Sequence, residues 1–138
     1  DRNRLWQARH GAVWATDVCV PISRLAECIL ATKQILQQTS LPVPLFGHVG
    51  DGNFHVLILI DPESEQELAE AQEINQQIVQ LALQMDGTST GEHGIGIGKQ
   101  EALLEEHGQG VEVMRAIKQA LVPQNIMNPG KVLDVSGR

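Results

Sequence analysis

The sequence predicts an α+β domain, an antiparallel sheet with helices packed on one face and further helices towards the C-terminus. Three observations predict it. Core-type residues recur at steps of three and four in two long segments: Ile22, Leu25, Ile29, Thr32 and Leu36, then Leu68, Ala71, Ile74, Ile78, Leu81 and Met85. A partly β-branched run, Val56-Leu57-Ile58-Leu59-Ile60, follows an Asp51-Gly52 turn signal and stops at Asp61-Pro62. The patterns alternate as strand, helix, two paired strands, helix.

In order, Leu5 to His10 reads as a short amphipathic segment, in which Arg9 is either a solvated charge or an anion contact. Ala12 to Val20 reads as one strand, broken by Pro21, which can open a helix over Ser23 to Gln38. Pro42 and Pro44 delay the next strand to about Leu45. Ser64 with Glu67 forms a capping box for the second long helix, with Gly87 as its C-cap. A short helix over Lys99 to Glu106 follows, with His107 as a favourable helix-end charge. Val111, Met114, Ile117 and Leu121 mark a last helix, stopped by Pro123, and Asn128-Pro129-Gly130 is turn-forming. The strand order suits a ferredoxin-like sheet, and 1–138 reads as a single domain.

Composition narrows the function. With 42% hydrophobic residues but only 3% aromatic, the core must be aliphatic. A net charge of −7 argues against binding a nucleic-acid backbone, which needs clustered Lys and Arg. Cys19 and Cys28 form no C-x-x-C pattern and read as small core residues of a reducing compartment, so a cytoplasmic location is expected, with peripheral membrane association of the parent protein as the alternative. No apolar run approaches the ~20 residues of a membrane span. The opening Asp1-Arg2-Asn3-Arg4, without Met, is expected to be the start of a processed or truncated product.

The central stretch is Phe46 to Ile60. If Asp51 and Gly52 are the two residues of a type I′ turn, Gly50 faces Asn53 and Val49 faces Phe54. His48 then stands directly opposite His55, with Cβ atoms roughly 4.5–5.5 Å apart. Two converging imidazoles are half of a metal site. Two half-buried histidines satisfied by backbone partners are the competing reading. Gly91-Glu92-His93-Gly94-Ile95-Gly96 adds a carboxylate and another histidine in a glycine-rich loop. Two histidines and a carboxylate make a common open metal set. The loop is neither a P-loop nor a G-x-G-x-x-G fingerprint, because His93, Lys99 and Gln100 occupy required positions. Its glycines let backbone approach something closely, or aim Glu92 and His93; a plain surface loop is the alternative.

Gly47-His48-Val49-Gly50-Asp51-Gly52-Asn53-Phe54-His55, Gly91-Glu92-His93-Gly94-Ile95-Gly96 and Asn128-Pro129-Gly130-Lys131 resemble the C-terminal domain of FAD-linked oxidases. These are the D-lactate dehydrogenase, glycolate oxidase and D-2-hydroxyglutarate dehydrogenase group of the vanillyl-alcohol oxidase superfamily. Asp17-Val18-Cys19-Val20-Pro21 with Arg24-Leu25 is similar to that family too. The resemblance implies oxidation of a D-2-hydroxy acid to the 2-oxo acid, with hydride passing to FAD. It implies that His48, His55 and Glu92 hold zinc, iron or manganese, that His93 is the general base, that Arg9 binds the substrate carboxylate and that Asn128 approaches the flavin. It also implies a separate FAD-binding domain of the same protein, absent from this chain, so the chain alone is expected to be inactive. A homodimer through surface that domain would cover is a further expectation. A metal-dependent hydrolase using the same His, His, Glu set, or a non-catalytic assembly module with structural histidines, are the rival readings.

Overall fold

The computed structural model describes residues 11–135. The chain divides between Gly91 and Glu92 into two compact units.

The first unit contains β1 (Ala12–Ala15), β2 (Val18–Cys19), α1 (Ile22–Leu36), β3 (Leu45–His48), β4 (Asn53–Ile60) and α2 (Glu65–Leu83). Strand β4 is its centre. Along one edge β1 pairs with Leu57–Ile60 and β2 with Asn53 and Phe54; along the other β3 pairs with 53–56, all antiparallel. The expected order of strand, helix, strand, strand, helix is observed. The closing strand of a full ferredoxin-like sheet is reduced to one antiparallel bridge between Cys19 and Thr88.

The single strand expected over Ala12 to Val20 is interrupted at Thr16 and Asp17. Register is kept across the break: Ala15 faces Leu57 and Val18 faces Phe54, so Asp17 stands opposite His55. Thr16 donates its N–H to the Val56 carbonyl at 3.0 Å, as a strand residue should. The return bond differs. Val56 N–H donates to the Thr16 hydroxyl at 2.8 Å instead of to the Thr16 carbonyl. A Thr side chain competing with its own backbone is enough to end the ladder locally.

Alternation along β4 sets the layers. Phe54, Val56 and Ile58 are fully buried on one face. Helices α1 and α2 pack on each other, and α2 packs on β2 and β4. Ala71, Ile74, Ile78 and Ala82 of α2 are buried at helical spacing. The Ser64 hydroxyl accepts from Glu67 N–H at 3.3 Å, as a capping residue. The Glu67 carboxylate reaches back to Asp61 N–H at 2.7 Å, so the reciprocal half of the box closes three residues further out. The C-cap assigned to Gly87 is corrected: the left-handed residue is Asp86, with φ 58°, and Gly87 returns its N–H to Ala82 O.

The second unit contains α3 (Gln100–His107) and α4 (Gly110–Leu121), which pack on each other. Gly108, with φ 50°, turns the chain between them. The tail is tied back by Val132 N–H to Gly96 O at 2.6 Å and by Gln100 Nε2 to Gly130 O at 2.9 Å.

Burial on β4 carries a stability expectation. Phe54→Ala should cost about 3–5 kcal/mol, the range for a truncated buried aromatic. Val13→Ala, at a side chain 47% exposed, should cost about 0.5 kcal/mol or less. Urea unfolding of the two variants checks the contrast.

Candidate active site

The hairpin register differs from the two-residue turn. His48 pairs with Asn53, Gly47 with Phe54 and Phe46 with His55. The loop is therefore the four residues Val49 to Gly52, opened by Asp51 N–H donating to His48 O at 2.9 Å. The positive φ falls on Gly52 alone, at 76°. Its cause is tertiary. Gly52 O accepts from Val20 N–H at 3.0 Å, and a Cβ at Gly52 would collide with the Val20 carbonyl. Only glycine permits both the backbone angle and that approach.

A shift of two residues keeps side-chain parity. His48 no longer faces His55 directly, but both imidazoles lie on one face, diagonal to each other. Their ring centroids are 5.8 Å apart and the rings are nearly perpendicular. Phe46 sits against His55 on the same face, at 5.4 Å. His48 is exposed and His55 is 3% exposed.

His55 is held in one orientation. Its Nδ1 lies 3.1 Å from the Thr16 carbonyl. A carbonyl only accepts, so Nδ1 carries the proton, and in the neutral ring Nε2 carries the lone pair. This is the arrangement that backbone carbonyls impose on metal-binding histidines. It exists because the Thr16 hydroxyl has replaced that carbonyl in the ladder. The Asp17 carboxylate lies 3.7 Å from the same nitrogen.

Two residues of this face were not singled out from sequence. Asp17, 1% exposed, accepts from Asn53 Nδ2 at 2.9 Å and from Thr90 Oγ1 at 3.0 Å. Asn53 also donates to Val18 O at 3.0 Å, so both its N–H groups are used and its Oδ1 is left buried without a partner. An acid inside the mostly apolar stretch Ala12 to Val20 was the available signal for Asp17. Nothing local distinguishes Asn53 from a turn asparagine.

Cys19 is also on this face, and its thiol donates to Asp51 O at 3.3 Å. Burial, then the nearby Asp17 and Asp51 carboxylates, push its pKa up. The neutral thiol is thereby favoured over the thiolate. Burial likewise raises the Cys28 thiol.

Of the other site residues, Glu92 and His93 are neighbours in the second unit, about half exposed, with Oε1 and Nε2 3.8 Å apart. The loop beyond them takes left-handed turns at Gly94 and Gly96, with φ 80° and 56°. Asn128 is exposed, with φ 46°, and its carbonyl accepts from Lys131 N–H at 3.2 Å. Arg9 lies outside the described residues.

Comparison with known proteins identifies the family. Residues 1–132 match the model of the FAD linked oxidases, C-terminal domain. The chain belongs to the FAD-linked oxidase C-terminal domain family. It is 48% identical to "Probable D-lactate dehydrogenase, mitochondrial" of Danio rerio, over 98% of this chain and 30% of that protein. It is 45% identical to "D-lactate dehydrogenase [cytochrome], mitochondrial" of Arabidopsis thaliana, over 96% of this chain and 26% of that protein. "Glycolate oxidase subunit GlcD" of Bacillus subtilis is 34% identical, over 88% and 26%. This FAD-linked oxidase domain thus spans less than a third of those relatives' length. The cytoplasmic expectation is corrected. Four relatives at 45% to 48% identity are named as mitochondrial, which tells against it. Among the described residues no helix is long and apolar enough to cross a membrane.

Two outcomes follow from the geometry. Alkylation of Cys19 by iodoacetamide should rise only above the ordinary thiol range, because burial and both carboxylates favour the neutral form. A rate profile against pH with an ordinary thiol midpoint would contradict it. Gly91→Ala should destabilise the protein, since a Cβ there would collide with the Asn53 amide. Displacing that amide leaves buried groups unpaired at about 1–3 kcal/mol each, readable in thermal unfolding.

Proposed function

We propose that this chain is the substrate-side domain of a flavin-dependent dehydrogenase that oxidises a D-2-hydroxy acid, of the D-lactate or glycolate type, to the 2-oxo acid. The observation that carries the reading is the His48 and His55 pair on one sheet face, with His55 held Nδ1-protonated by Thr16, in a domain of the FAD-linked oxidase family. Names of the relatives support the substrate class.

The residues present fit a divalent ion. His48 and His55 offer imidazole nitrogens and Glu92 a carboxylate, a set that suits zinc, iron or manganese. The buried Asn53 Oδ1, without a partner on the same face, marks this as a place where polar satisfaction is incomplete. A bound divalent ion would supply Lewis-acid polarisation of the substrate hydroxyl, and FAD would accept the hydride from C2. His93 would take the hydroxyl proton as general base. Arg9 would hold the substrate carboxylate by paired hydrogen bonds. Asn128, in its exposed turn, would approach the flavin. A separate domain of the same protein would bind most of the FAD, so this chain alone would neither carry flavin nor turn over. We place the protein in the mitochondrion.

The test is anaerobic flavin reduction in the intact protein. D-Lactate or glycolate should bleach the oxidised flavin spectrum. Glu92→Gln should lose metal and activity together, as should His48→Ala and His55→Ala. His93→Ala should keep its metal while turnover falls by roughly 10²–10⁴-fold. Metal content and rate measured on one His93→Ala preparation decide between base and ligand.

A further inference from the structure

We propose that Asp17 is a positioning residue for the metal: its buried carboxylate ties the strand that carries His55 to the turn from which Glu92 and His93 depart. This rests on the metal-ligand reading above and names the group that holds the ligands in place.

Asp17 stands opposite His55 across the ladder, so the two side chains share a face. One carboxylate oxygen takes the Asn53 amide at 2.9 Å and lies 3.7 Å from His55 Nδ1. The other takes the Thr90 hydroxyl at 3.0 Å. The Asp17 backbone carbonyl takes the Gly91 N–H at 3.1 Å. One residue therefore touches the His55 ring and fastens both Thr90 and Gly91, and Glu92 is bonded directly to Gly91.

Energetics favour a role beyond packing. A carboxylate 1% exposed is costly to bury, and three neighbours are arranged to meet it. Asn53 spends both amide hydrogens on this cluster and leaves its oxygen buried without a partner. An apolar pair of similar shape would avoid both costs. What it could not do is set two loops in register around a histidine. Partners of this kind, behind the ligands, typically change metal affinity by 10–100-fold when removed.

The experiment uses the intact protein, stripped with a chelator and titrated with Zn²⁺ and separately with Mn²⁺, alongside melting temperature. Asp17→Asn should raise the Kd for the ions by 10–100-fold. Thr90→Val should weaken binding in the same direction, and Thr90→Ser, which keeps the hydroxyl, should restore wild-type affinity. Should Asp17→Asn fail to fold, the Thr90 pair decides. Folded variants with wild-type Kd overturn the proposal while leaving the ligand reading intact. A loss of affinity confined to variants whose melting temperature collapses, with no rescue by Thr90→Ser, overturns it as well. A wild-type protein that binds neither ion refutes the ligand reading itself, and the proposal with it.

Discussion

One substitution of acceptors underlies the site: the Thr16 hydroxyl takes the Val56 N–H, and the Thr16 carbonyl is released to the His55 ring. In a regular antiparallel ladder that carbonyl would be occupied by backbone. Nδ1 of a buried imidazole would then lack its acceptor, at the cost of an unmet polar group in a low-dielectric setting. A side chain from the helix-facing side of the sheet thus arranges chemistry on the opposite side. Thr16 is fully buried, as an acceptor working inside the core must be.

Strand β4 connects this chemistry to the stability of the unit. Its residues alternate between an apolar face of Phe54, Val56 and Ile58 and the face bearing Asn53 and His55. Phe54, Val56 and Ile58 fix the strand against α2, and the intervening side chains are positioned as a consequence. The polar residues Thr16, Asp17, Asn53 and His55 are all buried, and each meets at least one of the others. Such a network rigidifies when its members are satisfied, because hydrogen bonds strengthen one another at low dielectric.

Much of this architecture was legible in the sequence. Period-3.6 apolar repeats located α1 and α2, and Ser64 located the start of α2, because both signals are local. The face shared by His48 and His55 was legible through strand parity. Their exact opposition was not, because Gly52 is drawn against Val20, a contact 32 residues away in the chain. The break at Thr16 escaped for the same reason: Thr is a good strand former, and only its particular cross-strand partner turns its hydroxyl into the ladder acceptor. Asp17 and Asn53 were invisible as a pair, since their meeting depends on register.

The four-residue loop between β3 and β4 has a consequence for how such hairpins can vary over evolutionary time. Face identity depends on which residues pair, not on the number of residues in the loop. While His48 stays opposite Asn53, insertions or deletions absorbed within Val49 to Gly52 leave both imidazoles on a common side. A one-residue slip of the pairing itself would send one of them to the helix-facing side, among Phe54 and Val56. Length changes should therefore collect inside the loop, and one inside β3 or β4 should be accompanied by a bulge that restores the pairing.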